Sequence, residues 1–132
     1  MGTADHKDGG DMRFIIGLIL IAHGLAHSLG FFVPWRIGPG KSTPYNTTIL
    51  NGFVDLGDIG IRVMGILWLI PGLAFVMAGI GVMAASSWGG IVTLDAAMFS
   101  LILSIIGWPD SRVGVFINVA ILAYLGLVGR LR

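Results

Sequence analysis

The sequence predicts an all-α integral membrane protein, a four-helix bundle with a long loop between helices 1 and 2. Three observations carry that prediction. Hydrophobic residues make up 55% of the 132-residue chain and charged residues only 11%, where a soluble domain carries roughly a quarter charged residues. So few charges cannot cover a water-facing exterior, so the exterior must face lipid. Four stretches are long and apolar enough to cross a hydrocarbon core of ~30 Å, which takes about 20 helical residues. Turn-forming residues separate them.

The chain divides into a polar tail at residues 1–13 and a single transmembrane domain at 14–132. The tail is short of apolar residues and is expected to be disordered. The first span covers about 14–35 and follows Met12-Arg13. A basic residue before an apolar run also suits a cleavable leader, but this run of ~22 residues exceeds the usual apolar core of ~7–15, so it is expected to be retained. The connection from Arg36 to Gly60 is long for a loop without structure of its own, and such loops are commonly caps or re-entrant pieces. Within it, Thr47-Thr48-Ile49-Leu50 suits either a short strand or a segment lying on the membrane surface.

The second span, about 61–85, opens with Arg62 and contains Pro71, which removes a backbone hydrogen bond and is expected to kink it. Ser86-Ser87-Trp88-Gly89-Gly90 leaves room only for a tight turn. The third span, about 91–108, carries one carboxylate, Asp95. Trp108-Pro109-Asp110-Ser111 forms the next turn, with Asp110 or Ser111 placed to cap the last span, about 113–129. Trp35, Trp88 and Trp108 all fall at span ends, where amphipathic rings favour the membrane interface.

Helices in lipid associate through small residues that let backbones approach. Gly65, Gly72 and Gly79 recur every seven positions on the second span, and Gly17 and Gly24 do the same on the first. On the fourth, Gly114, Asn118 and Gly126 share a face interrupted by Leu122. These faces predict either the bundle's internal contacts or a homo-oligomer interface. Lys7, Arg13, Arg130 and Arg132 on the terminal side balance Arg36, Lys41, Arg62 and Arg112 on the other, so the positive-inside rule is tied. Charges in long loops constrain translocation less, which tips the expectation to cytoplasmic termini.

An ionisable side chain at membrane depth costs ~2.5–3.5 kcal/mol for Asp and is a functional candidate by default. His23, His27 and Asp95 are such residues, and Asn118 is a fourth polar group at depth. His23 and His27 are four apart and share a helix face. From the helical rise, His23 sits ~13 Å and Asp95 ~6 Å from one membrane surface. Asn118, entering from the opposite side, lands near the level of His27, so a polar column of all four is expected.

Three uses of that column compete: interhelical hydrogen bonding that fixes the bundle, a proton or small-solute path, and a metal or haem site. His23, His27 and Asp95 would form a two-His, one-carboxylate set, whereas bis-His haem needs histidines on two spans; no cofactor is predicted. At the loop end, Asp58 is expected to cap the second span and pair with Arg62, with Asp55 beside them.

The chain has no cysteine, which removes thiolate chemistry and Cys-ligated metals. It has no phosphate-binding, dinucleotide, nucleophile-elbow or HExxH motif. A net charge of +1 gives no case for nucleic acid.

His23-Gly24-Leu25-Ala26-His27, Pro34-Trp35, Thr47 to Gly52, Asp55 to Arg62, Gly107-Trp108-Pro109 and Asn118 together resemble a group of small bacterial four-span membrane proteins. Members are sometimes labelled transport permeases, and the resemblance spans nearly the whole chain. A permease role for so short a chain implies oligomers or partner subunits. The expectation is a non-enzymatic multi-pass membrane protein surrounded by lipid, acting as a homo-oligomer or as an accessory subunit.

Overall fold

The computed structural model describes residues 4–130, with side chains described for residues 9–129. Residues 1–3 and 131–132 lie outside the described residues, as do the side chains of Lys7 and Arg130; parts of the expected tail and of the charge balance fall there. Helices α1 (Ala4–Ala26) and α2 (Ser28–Trp35) form the first span, and α3 (Gly57–Met83), α4 (Gly89–Ile106) and α5 (Arg112–Arg130) form the other three. All four spans are long and apolar enough to cross a membrane.

Two boundaries differ from the sequence reading. Helix α1 already begins at Ala4, inside the stretch expected to be disordered. Extending an existing helix avoids the cost of nucleation, so polar residues next to a long span continue it. Helix α3 starts at Gly57 rather than near Ile61, because the Asp55 carboxylate accepts the Gly57 amide at 2.9 Å and satisfies one of the free donors of its first turn.

The first span is broken at His27 by its own side chain. The His27 backbone N–H donates to the Gly24 carbonyl three residues back, while its ring Nδ1–H donates to the His23 carbonyl at 2.9 Å. The ring thus takes the carbonyl that the fourth-residue backbone bond would have used, and a side chain inserted into the ladder in this way bends a helix. By contrast, α3 runs without interruption through Pro71.

The long loop is structured. A 3-10 turn at Gly38–Lys41 leads to a hairpin of β1 (Thr48–Ile49) and β2 (Val54–Asp55), with Thr48 opposite Asp55 and Ile49 opposite Val54. Of the two alternatives for Thr47–Leu50, the strand is the one formed. Leu50 and Asn51 adopt positive φ at the hairpin tip, a conformation unfavourable for leucine. The Leu50 N–H donates to the Ile106 carbonyl and the Asn51 N–H to the Trp108 carbonyl, both at 2.8 Å, which ties the tip to the end of α4 and the following turn.

Glycine contacts hold α1 and α2 against α3. A Cβ on Gly17 would lie 2.7 Å from the Gly79 carbonyl oxygen, one on Gly24 2.6 Å from that of Gly72, and one on Gly65 3.1 Å from that of Gly30. The seven-residue repeats on the two spans face each other, so this stripe serves the bundle. On α5 only half the expected face is used: a Cβ on Gly114 would meet the Ser104 hydroxyl at 2.7 Å, while Gly126 has nothing within 4 Å. The core is Leu20, Phe75, Ala78, Ala96 and Ala97. Large apolar side chains such as Leu73, Met77, Ile91, Met98 and Phe116 point outward, the inside-out arrangement that a lipid solvent favours. Helix α5 is the least covered, with 6% of its span buried against 39% for α4.

Candidate functional site

The mid-bundle polar residues close into a circuit. The Ser100 and Asn118 side chains are fully buried and His27 is 5% exposed. Since His27 Nδ1 donates to the His23 carbonyl, Nε2 of the neutral ring is an acceptor, and the Ser100 hydroxyl donates to it at 2.6 Å. The Asn118 amide Nδ2–H donates to Ser100 Oγ at 2.7 Å. His23 Nε2–H donates to Asn118 Oδ1 at 3.3 Å. Each donor in the chain from His23 through Asn118 and Ser100 to His27 meets an acceptor, and the last returns to the His23 backbone. These tautomers follow from the hydrogen-bond pattern with both imidazoles neutral.

Aromatic rings wall the circuit. The two imidazoles meet edge-on with centroids 4.7 Å apart, and Phe75 lies 4.7 Å from His23 and 5.5 Å from His27. Trp68 covers His27 from 5.3 Å. Low-dielectric walls strengthen each hydrogen bond inside and raise the penalty for leaving one unmade.

Three of the four expected column residues, His23, His27 and Asn118, are together. Asp95 is not, and the expected column is corrected there. At ~100° per residue it stands about 140° around α4 from Ser100 and faces outward. Which side of a helix a residue faces is set by its angle around the axis, not by its position along it. The set of His23, His27 and Asp95 is therefore not assembled, and among the described residues no group of three metal-ligating His, Cys, Asp or Glu side chains occurs.

Ser100 was missed, as was Ser104, whose buried hydroxyl has no hydrogen-bond partner among the described residues. The available signal was the row Thr93, Ala96, Ala97, Ser100 and Ser104, whose small or hydroxylated residues recur every three or four positions along α4. Those positions are its buried face.

At the loop end, Asp55, Asp58 and Arg62 are near one another but do not make the expected cap and ion pair. The Tyr45 hydroxyl donates to Asp58 at 2.5 Å, the Arg62 guanidinium lies over the Trp35 ring at 5.8 Å, and Trp35 Nε1–H donates to the Arg62 carbonyl at 3.1 Å. An aromatic partner replaces each half of the expected Asp58–Arg62 pair, Tyr45 from the loop for Asp58 and Trp35 from the end of α2 for Arg62. Helix start is served by Asp55, which accepts from Thr47 Oγ1 at 2.7 Å as well as from Gly57. Its carboxyl is held below the usual 3.8 by the Gly57 amide first and the Thr47 hydroxyl second. The bond to Asp58 holds the Tyr45 phenol above its usual 10.0. Arg36 donates to the carbonyls of Gly40, Lys41 and Thr43 at 2.7–2.9 Å and organises the turn around itself.

No family model, curated protein or solved structure matches the chain.

Proposed function

We propose that this chain is a non-enzymatic subunit of a membrane assembly, working as a homo-oligomer or beside partner membrane proteins, with its termini on the cytoplasmic side. The observation that carries this reading is how the intramembrane polar groups are used. His23, His27, Ser100 and Asn118 satisfy one another inside the bundle, as groups that specify a fold do. Asp95 and the exposed side of α5, with Phe116, Tyr124 and Leu127, face outward. A carboxylate exposed on a span is costly in lipid, and contact with another membrane protein removes that cost. Release from native membranes in mild detergent followed by native mass spectrometry tests the reading. A particle of at least two chains supports it, and a 14.0 kDa species alone under all gentle conditions refutes it.

One observation favours a second reading, proton access from the loop side. The Ser104 hydroxyl, unpartnered among the described residues, lies one turn from Ser100 towards the α4–α5 turn, where Ser111 Oγ donates to the Ser104 carbonyl at 2.7 Å. In liposomes, pH-driven flux that survives both His23→Ala and Ser104→Ala would end that alternative.

A further inference from the structure

The outward position of Asp95 raises the question of what meets it. Asp95 lies six residues into α4, ~9 Å along the axis from Gly89. Copies inserted in the same orientation meet at equal depth, so the depth of Asp95 restricts its partner. Two contacts fix the register of the antiparallel α4 and α5: Ser100 with Asn118 and Ser104 with Gly114. In that register Asp95 is level with Ala123, one residue from Tyr124. The contact of Gly89 with Gly81 places Phe75 of α3 at the same level, and the glycine pairs of α1 and α3 place Ile21 there.

Of the exposed side chains near this level, Ile19 on α1 and Leu73 and Met77 on α3 are apolar, while Tyr124 is half-exposed and carries a hydroxyl. It is a hydrogen-bond donor suited to a carboxylate, and it stands on the helix whose surface is least covered. Within one chain the two residues cannot serve each other. Each turns well away from the α4–α5 contact, Asp95 by about 140° from Ser100 and Tyr124 by about 120° from Asn118.

We infer that a second copy of this chain lays its α5 along the outer face of α4, with the Tyr124 hydroxyl donating to the Asp95 carboxylate. The inference rests on the assembly reading above and names its partner. The contact joins two different surfaces, α4 of one copy and α5 of the next, so rotation about the membrane normal closes it into a ring. One turn away on the same faces, the exposed Ile91 and Leu127 occupy equal levels in this register and would pack beside the polar pair.

The chain has no cysteine, so introduced thiols report cleanly. Chains carrying Ile91→Cys and chains carrying Leu127→Cys would be co-expressed and treated in native membranes with a short bis-maleimide, leaving Asp95 and Tyr124 intact. A cross-link between the two kinds of chain, absent when either is expressed alone, is the expected result. Tyr124→Phe should then weaken self-association roughly three- to twentyfold, the range for one interhelical hydrogen bond in lipid, read by energy transfer on lipid dilution. A larger particle without the Ile91–Leu127 cross-link would overturn this pairing while leaving the assembly reading in place. A cross-link between two Ile91→Cys chains would also overturn it, by showing α4 against α4. A lone monomer would remove both.

Discussion

Replacing Asn118 by alanine breaks the circuit at a residue with side-chain bonds to two other helices. The bond to Ser100 is 2.7 Å long and that to His23 is 3.3 Å, so the first should carry more of the energy. Interhelical hydrogen bonds in lipid average about 0.6 kcal/mol and reach about 1.7 kcal/mol, which puts the two together at about 1–3 kcal/mol. The void left by the truncated amide adds to that loss. Pairing Asn118→Ala with Ser100→Ala in a double-mutant cycle separates the two effects, because the coupling energy reports their shared bond. Reversible unfolding in mixed micelles, followed through tryptophan fluorescence, supplies all four stabilities. A coupling of about 0.6–1.7 kcal/mol is expected. Losses that simply add, within about 0.3–0.5 kcal/mol, would refute the claim that these groups act as a connected set.

Gly24→Ala should destabilise the protein by about 1–3 kcal/mol in the same assay, since its Cβ would lie 2.6 Å from the Gly72 backbone oxygen. Gly90→Ala, with nothing within 4 Å, should not; equal effects would remove the glycine contacts from the explanation. The Tyr45 phenol is held above 10.0 by its bond to Asp58, so that bond's contribution is complete below pH 10 and is lost as pH rises through the higher folded value. Phenolate absorbance should show a Tyr45 midpoint above 10.0 that falls with Asp58→Asn, and an unchanged midpoint would disprove the link. Asp55 has the opposite sign: its contribution is complete above pH 3.8 and lost as pH falls through its lower folded value. The Gly57 amide resonance should move in that acidic window, and Asp55→Asn should abolish the movement.

The four spans were legible because lipid imposes one condition on a long continuous stretch, and their composition reports it directly. The facing glycines were legible for a similar reason, as Gly65, Gly72 and Gly79 match Gly17 and Gly24 in spacing. The polar site was only half legible. His23, His27 and Asn118 stood out as polar groups in apolar runs, but Ser100 carries a small hydroxyl of the kind that often bonds its own helix, and its role appears only when α4 turns it toward His27. Asp95 drew attention by its charge, yet charge does not reveal which side of a helix a residue occupies. The small-residue row through Ser100 gives that side, and it points away from Asp95. Loop structure was hidden because Tyr45 and Trp35, distant in sequence from Asp58 and Arg62, displace the expected local pair.

The surface left open by α5 provides the most direct test of the proposed assembly. A spin label on a cysteine at Leu127, which is 63% exposed on the isolated chain, reports collisions with oxygen dissolved in the bilayer. If this face is covered in the membrane, the label in native membranes should be shielded from oxygen and become accessible once the protein is dispersed as single chains in excess lipid. A label at Leu127 that is as accessible in native membranes as in dispersed chains would contradict the assembly.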